Sequence, residues 1–352
     1  MNKSQLLLLL AVLASLGTAC SRHDKCAGVG AVEFVCGPSN AEDLVLIPET
    51  PWIIASGLAA GTGLYLLNSN SRDWQPLSIQ ARQDRAAYPA CPSPPAPSGL
   101  QAHGLNIRGG ANGRSRLYVV GHGAREAIEV FDVDASGELP VVTWTGCVLL
   151  PEGLAANSAA SFADGSLVAT VLLMLGTSFG DSVAKRPTGI VLKWSPGDSG
   201  FEQLKGTALP GNNGIEVSAD GQEIYVVSSG LQTIVTFSNA NPATRLRSTR
   251  QLPMTPDNVH RGPNGQLLTA GMKNDVPECG GPPGPEHDLA ALSTCPRGTI
   301  AIEVDPVTMQ DRILVETPAI PAFSNATMVL PASGQFWFGT FRGDRIAHVP
   351  SR

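Results

Sequence analysis

The sequence predicts an all-β fold: a six-bladed β-propeller whose ring is closed by an N-terminal strand. Three observations predict it. A unit of polar residues, an alternating strand, a turn and a second strand occurs six times along the chain. Glycine (38) and proline (28) are both in excess, while charged residues are sparse at 15%, the composition of many short strands joined by tight turns. No long helical heptads stand between the strand patterns.

The chain begins with "MNKSQLLLLLAVLASL", a lysine followed by an apolar run too short to span a bilayer, and then the small-residue stretch "GTAC". This is an export signal over residues 1–19 rather than a transmembrane anchor. Two cleavages fit. Ala19 can close an ordinary small-residue site, or Cys20 can be the lipidated first residue of a bacterial lipoprotein, although Gly17 stands where such a motif expects leucine. The expected location is the periplasm, the outer membrane through a lipid tether on Cys20, or the medium. Seven cysteines are present. If Cys20 carries lipid, the other six (Cys26, Cys36, Cys91, Cys147, Cys279, Cys295) suffice for three disulfides in an oxidising compartment.

The remaining chain, residues 26–352, is read as one propeller domain, long enough at about 330 residues for a large core. The formal net charge of −6 offers no basic footprint for nucleic acid. No later run of 18 apolar residues suggests a second membrane segment.

The repeats follow in order. "AGVGAVEFV" (27–35) precedes the first copy and is expected to supply the outer strand that the last copy lacks, which removes an exposed sheet edge. The copies are "SNAEDLVLIPETPWIIAS", "QAHGLNIRGGANGRSRLYVVG", "AANSAASFADGSLVATV", "GNNGIEVSADGQEIYVVSS", "PDNVHRGPNGQLLTAG" and "FSNATMVLPASGQFWFGT". They start at Glu42, His103, Asn157, Asn213, Asp257 and Asn325, at intervals of 61, 54, 56, 44 and 68 residues. A third strand follows each: "GLYLL", "AIEVFDV", "GIVLKW", "TIVTF", "TIAIEV" and "RIAHV". A fourth usually comes next, such as "PLSIQA" after the first and "DRILVE" after the fifth. Four strands repeated six times without a helix between them make a propeller, with a period longer than a WD40 unit and no Trp-Asp signature. Two stretches lie outside the repeat. "PACPSPPAPSG" (89–99) is a Pro-rich connector between the first two blades. Residues 273–298 form an insertion in the fifth blade, which a Cys279–Cys295 bridge could restrain over the face.

In this architecture the first strand of each blade lines the central channel, and all six starts emerge on one face. Residues scattered through the sequence therefore converge: Glu42, Asp43, His103, Asn157, Asn213, Asp257 and Asn258, with Ser324 and Asn325 at the sixth start. Any one Asx at a strand start serves as a turn cap, but acids or amides at five of six starts are too many for capping alone. Hard oxygen donors without a paired basic residue suit Ca²⁺, which takes six to eight oxygens in irregular geometry. No His/Cys pair with zinc spacing accompanies them.

The stretches "AEDLVLIP", "HGLNIR", "LYVVGH", "NNGIEVSADGQEIYVV" and "PDNVHRGPNGQLL" resemble the paraoxonase/arylesterase family of calcium-dependent lactonases, and more distantly the gluconolactonase-like propellers, over residues 40–350. The resemblance implies that Glu42, Asn157, Asn213, Asp257 and Asn258 hold a catalytic calcium. It further implies that Asp43, with the Leu105 carbonyl, belongs to a second, structural one, and that His103 and His122 activate water. The calcium would polarise a lactone or ester carbonyl, and His103, oriented by His122, would take the proton of the attacking water. His260, His287 and His348 are left as structural or solvated.

Several positions depart from the family's pattern. Ser158 replaces an acid, which puts the second calcium in doubt, and Gly211 and Met272 stand where the family has pocket residues. The cysteine that ties the family's ends together is missing, so Cys26 and Cys36 are expected to pair locally or with another partner. The function expected is hydrolysis of small lactones or aryl esters. A gluconolactonase-type reaction with Asp257 as base, and a non-catalytic binding platform on the same face, are the alternatives. A serine hydrolase is excluded, because no G-x-S-x-G elbow occurs and "GTSFGDS" (176–182) lacks its spacing.

Overall fold

The computed structural model describes residues 26–96, 99–286 and 294–351. The expected export signal, Cys20 and His287 lie outside the described residues. In chain order the strands are β1 (Glu33–Cys36), β2 (Leu44–Leu46), β3 (Trp52–Gly57), β4 (Gly63–Asn68), β5 (Trp74–Pro76), β6 (Ile79–Ala81), β7 (Leu100–Gly109), β8 (Arg114–Gly123), β9 (Ala127–Asp134), β10 (Val141–Leu149), β11 (Ala159–Ser161) and β12 (Leu167–Val171). One short helix, α1 (Phe179–Val183), follows. The remaining strands are β13 (Gly189–Trp194), β14 (Glu202–Leu209), β15 (Asn212–Val217), β16 (Glu223–Ser228), β17 (Thr233–Ser238), β18 (Arg245–Ser248), β19 (Met254–Arg261), β20 (Leu267–Lys273), β21 (Thr299–Val304), β22 (Asp311–Glu316), β23 (Ala326–Ala332), β24 (Gln335–Thr340) and β25 (Arg345–Pro350).

These strands form six sheets, and each innermost strand opens on one of the repeat starts. The inner strands β2, β7, β11, β15, β19 and β23 pack against one another in that cyclic order, with β23 returning to β2. The ring is a six-bladed propeller. Burial falls from the axis outward: all of β15 is buried, whereas β18 is exposed or half-buried. The middle strands are buried on both faces by neighbouring blades, so "EIYVVS" and "TIVTFS" show almost continuous burial without an exposed face. Trp144, Trp337, Phe131, Phe237 and Phe338 fill the space between blades with almost no exposure, each contributing about 2–3 kcal/mol of apolar burial.

The closing strand forms as the sequence predicts. β1 pairs antiparallel with β25, with Glu33 opposite His348 and Cys36 opposite Arg345. A Cys26–Cys36 disulfide ties the entry to this strand, and Trp74 Nε1 donates to the Cys36 carbonyl at 2.9 Å. Cys91–Cys147 staples the Pro-rich connector to β10, and Cys279–Cys295 closes the insertion.

One element differs from the expectation. Only the start of "PLSIQA" belongs to the fourth strand of the first blade: that strand, β5, pairs with β4 and ends at Pro76, with the Leu77 N–H on the Leu64 carbonyl at 2.8 Å. Ile79–Ala81 instead crosses to the second blade and pairs in parallel with the outer strand β10, with Val142 opposite Ile79. The physical gain is a covered edge, because β10 would otherwise present unpaired backbone groups to solvent.

Candidate functional site

Four of the six inner strands carry a β-bulge at their opening turn. The register slips between Ala102 and Leu105, Asn212 and Ile215, Pro256 and Val259, and Ala326 and Val329. A bulge re-aims the residues inside it, and here those residues include His103, Asn213, Asp257 and Asn258. Two bulge glycines let neighbouring blades approach closely. A Cβ on Gly104 would lie 2.7 Å from the Asn157 carbonyl oxygen, and one on Gly214 would lie 2.6 Å from the Val259 nitrogen.

Hydrogen bonds then sew the mouth together from blade to blade. Leu105 N–H donates to Asp43 Oδ2 at 2.7 Å, and Gly104 N–H to the Asn157 carbonyl at 3.3 Å. The Thr170 hydroxyl donates to the Asn213 carbonyl, and the Ser229 hydroxyl to the Pro256 carbonyl at 2.9 Å. Thr327 donates to the Glu42 carbonyl, and Asn258 Nδ2 reaches across the channel to Glu42 Oε1 at 2.6 Å. The sequence-predicted residues from blades one, two, three, four and five are thus linked around one mouth.

The donor set has an unusual surplus. The side-chain oxygens Glu42 Oε2, Asn157 Oδ1, Asn213 Oδ1, Asn258 Oδ1 and Asn325 Oδ1 are buried and accept no hydrogen bond from the protein. Leaving one such group unsatisfied costs about 1–3 kcal/mol, so five together, from five blades, call for a shared partner. Hard, mostly neutral oxygens in irregular array fit a calcium-like cation. Among the described residues no three His, Cys, Asp or Glu side chains gather as a metal cluster; the surplus is mainly amide. Asn325, in a left-handed conformation at φ 62°, supplies the sixth blade's oxygen. Asparagine tolerates that conformation better than most side chains.

The charges around this surplus are poorly compensated by the protein. Burial pushes Glu42 well above the ordinary carboxylate range, and Asp257 and Asp43 push the same way. Burial likewise raises Asp257 to about 7, with the Asn213 amide pulling it down and Asp43 adding to the rise. Asp43 is placed differently. Its Oδ1 accepts from Leu44 N–H at 2.9 Å and from His260 Nε2 at 2.7 Å, while its Oδ2 takes the Leu105 N–H. Burial disfavours a charged His260, but the Asp43 carboxylate outweighs it and holds the imidazole above its ordinary value.

The two predicted histidines meet. His103 Nδ1 and His122 Nε2 are 3.1 Å apart, and His122 Nδ1 lies 2.6 Å from Glu126 Oε2. His103 Nε2 faces Glu42 Oε2 at 3.8 Å. Glu126 was not legible as a site residue, although the four-residue spacing in "HGARE" across the β8–β9 turn is the signal that could have found it. This order fixes the tautomers. A carboxylate only accepts, so His122 donates from Nδ1 and accepts at Nε2. His103 then donates from Nδ1, and its Nε2 lone pair is left facing the mouth. Burial, and secondarily His122, depress His103 to about 3, so it is neutral and able to accept.

The rim is built by two loops. The insertion is pinned at its base by Arg297, which donates to the Asn274 carbonyl at 2.6 Å and the Gly281 carbonyl at 2.9 Å. It reaches the third blade, where the Pro285 carbonyl sits against Gly180 of α1 and leaves no room for a Cβ there.

No protein-family model matches the chain, and no curated protein matches it. Among solved structures the chain is similar to a luciferin-regenerating enzyme, with a TM-score of 0.53 at 11% identity over 91% of this chain and 94% of that one. It is also similar to a protein assigned as a gluconolactonase, with a TM-score of 0.53 at 12% identity over 95% and 97%. A third is regucalcin, a calcium-binding protein of Agrobacterium tumefaciens, with a TM-score of 0.52 at 9% identity over 90% and 91%. At these identities the likeness shows the fold. The neighbours are gluconolactonase- and regucalcin-like six-bladed propellers, the more distant of the two resemblances read in the sequence.

Proposed function

We propose that this mouth is a calcium-dependent hydrolytic centre for small lactones or aryl and carboxylic esters. The observation that carries the reading is the set of five buried, unpartnered oxygens on Glu42, Asn157, Asn213, Asn258 and Asn325, beside a histidine pair of defined tautomer. These residues, with Asp257, would hold the ion, and a bound calcium would supply charge to polarise a substrate carbonyl and stabilise the oxyanion.

The chain's own residues do the rest. His103 accepts a proton from water at Nε2 while passing its Nδ1 proton to His122. The resulting charge sits on His122 beside the Glu126 carboxylate instead of on His103, where burial opposes it. That transfer reconciles a low His103 basicity with a base's role. The bulges hold the side chains on rigid strands, and the insertion and α1 border the entrance.

A second reading has its own support. In the metal-free protein burial raises Asp257 to about 7, and its place beside the oxygen set is where a gluconolactonase-type reaction would use Asp257 as base. The two are separated by a lactone and phenyl acetate panel assayed with His103→Gln and Asp257→Asn proteins, with and without chelator. A His103→Gln enzyme of unchanged rate refutes the histidine relay and leaves Asp257. Absence of any chelator-sensitive hydrolysis refutes both and favours a binding platform. Three disulfides suit an oxidising compartment, and export with a lipid on Cys20 is part of the same proposal.

A further inference from the structure

The other end of the central channel holds a cavity of about 500 Å³, within the range of small-ligand sites. Its walls come from the inner strands a few residues beyond the site positions: Leu46 after Glu42, Ile107 after His103, Glu216 after Asn213, His260 after Asn258 and Leu330 after Asn325. The two mouths are therefore opposite ends of one set of strands. The wall is apolar, with Leu46, Ile107, Leu330 and Pro331 prominent.

The polar groups in this cavity are unevenly satisfied. Its acceptors are occupied. Glu216 takes the backbone N–H of Val217 at 2.8 Å and of Arg261 at 3.2 Å. Asn106 Oδ1 takes the Ser161 N–H at 3.1 Å and hydroxyl at 2.9 Å. Its donors are largely free. The half-buried Arg261 guanidinium makes no hydrogen bond or ion pair among the described residues, and Arg108 spends its donors only on Ser161. Asn106 Nδ2 has no protein partner among the described residues, although Asn106 is only 6% exposed. An anion would meet free donors on Arg261, Arg108 and Asn106, while Glu216 is engaged by two backbone N–H groups.

We propose that this cavity binds a small amphipathic monocarboxylate. Arg261 and Arg108 hold the carboxylate, with Asn106 donating from the floor, and an apolar body of several carbons lies on Leu46, Ile107 and Leu330. Guanidinium groups suit the head, because they present paired donors in the plane a carboxylate requires. The site is independent of the calcium reading, since none of its groups belongs to the proposed hydrolytic set.

The test is calorimetric titration of the exported chain, in the presence of chelator, with octanoate, 1-octanol, octylamine and inorganic phosphate. Octanoate is expected to bind, and to bind best. Arg261→Gln is expected to weaken it about tenfold or more, the loss typical of a charge-assisted pair, and Arg108→Gln to act in the same direction. Glu42→Gln, at the opposite mouth, is expected to leave octanoate binding unchanged. Thermal melting of each variant shows that it is folded. The proposal is overturned by absence of octanoate binding, by octanol, octylamine or phosphate binding equally well, or by unchanged affinity in both arginine variants.

Discussion

Replacing Gly104 by alanine tests how the mouth is held together. Gly104 sits in the β7 bulge with the third blade directly against it. A Cβ there would stand 2.7 Å from both the Asn157 carbonyl oxygen and Ser158 Cα, where ordinary contact is 3.4–4 Å. The backbone carrying Asn157 must therefore retreat by about 0.7 Å, and no flexible side chain can absorb the shift. Overpacking of this kind costs about 1–3 kcal/mol. At about 2.1 cal/mol/K per residue over 352 residues, that is a fall in Tm of about 1–4 °C. The effect on the site is larger in proportion. Calcium–oxygen distances span only about 2.3–2.6 Å, so the retreat takes the Asn157 oxygen out of range. Loss of one interaction with a charge, at about 1.5–3 kcal/mol, lowers calcium affinity about 10- to 150-fold. Gly200→Ala, where a Cβ meets nothing within 4 Å, is the control. Calcium titration followed by calorimetry reads the outcome. A folded Gly104→Ala protein that binds calcium as tightly as the parent chain refutes the reasoning.

Further outcomes follow from the same geometry. Glu126→Gln removes the negative charge that stabilises His122 when it takes the proton, so kcat on a lactone should fall about 10- to 100-fold with KM little changed, and Glu126→Asp should recover part of it; equal rates in all three proteins contradict the relay. Deleting residues 27–35 removes β1 and exposes the edge of β25, so the protein should unfold or aggregate, and a stable monomer by size-exclusion chromatography and melting contradicts the closure. His348 is held at about 4 by burial, with Arg72 adding to the fall and Glu33 opposing it. Its pKa is lowered on folding, so the unfolded chain binds the proton more readily, and stability present above pH 6.5 is lost as pH falls toward 4. At about 1.4 kcal/mol per unit the loss approaches about 3 kcal/mol. Denaturant unfolding should therefore show a smaller loss between pH 7 and 5 in His348→Gln than in the parent, and identical losses contradict this assignment.

The blades were legible because each repeats a local pattern: an Asx-rich start, a bulged inner strand, a turn and a β-branched run that two neighbouring blades bury. The convergence of Glu42, Asn157, Asn213, Asp257 and Asn258 followed from topology alone, since six starts share one face. What escaped was set by pairings between distant segments. Ile79–Ala81 is three exposed residues long and has no periodicity to reveal that its partner is β10. Glu126 meets His122 only because the β8–β9 turn folds them together. His260 reads as an ordinary alternating strand residue, yet a bulge at Asp257–Asn258 turns it to Asp43, 217 residues away in sequence. Asn325 was noticed at its strand start, but the value of its oxygen depends on a left-handed backbone that sequence pattern does not specify.

Calcium binding itself is the most direct measurement. Equilibrium titration of the purified protein should give one ion per chain, because the five unpartnered oxygens form one set and Asp43 already holds His260 and two backbone N–H groups. Glu42→Gln and Asn258→Leu should each abolish or greatly weaken it, while both proteins remain folded. No binding at millimolar calcium, or binding that survives both substitutions, contradicts the assignment of this mouth as the metal centre.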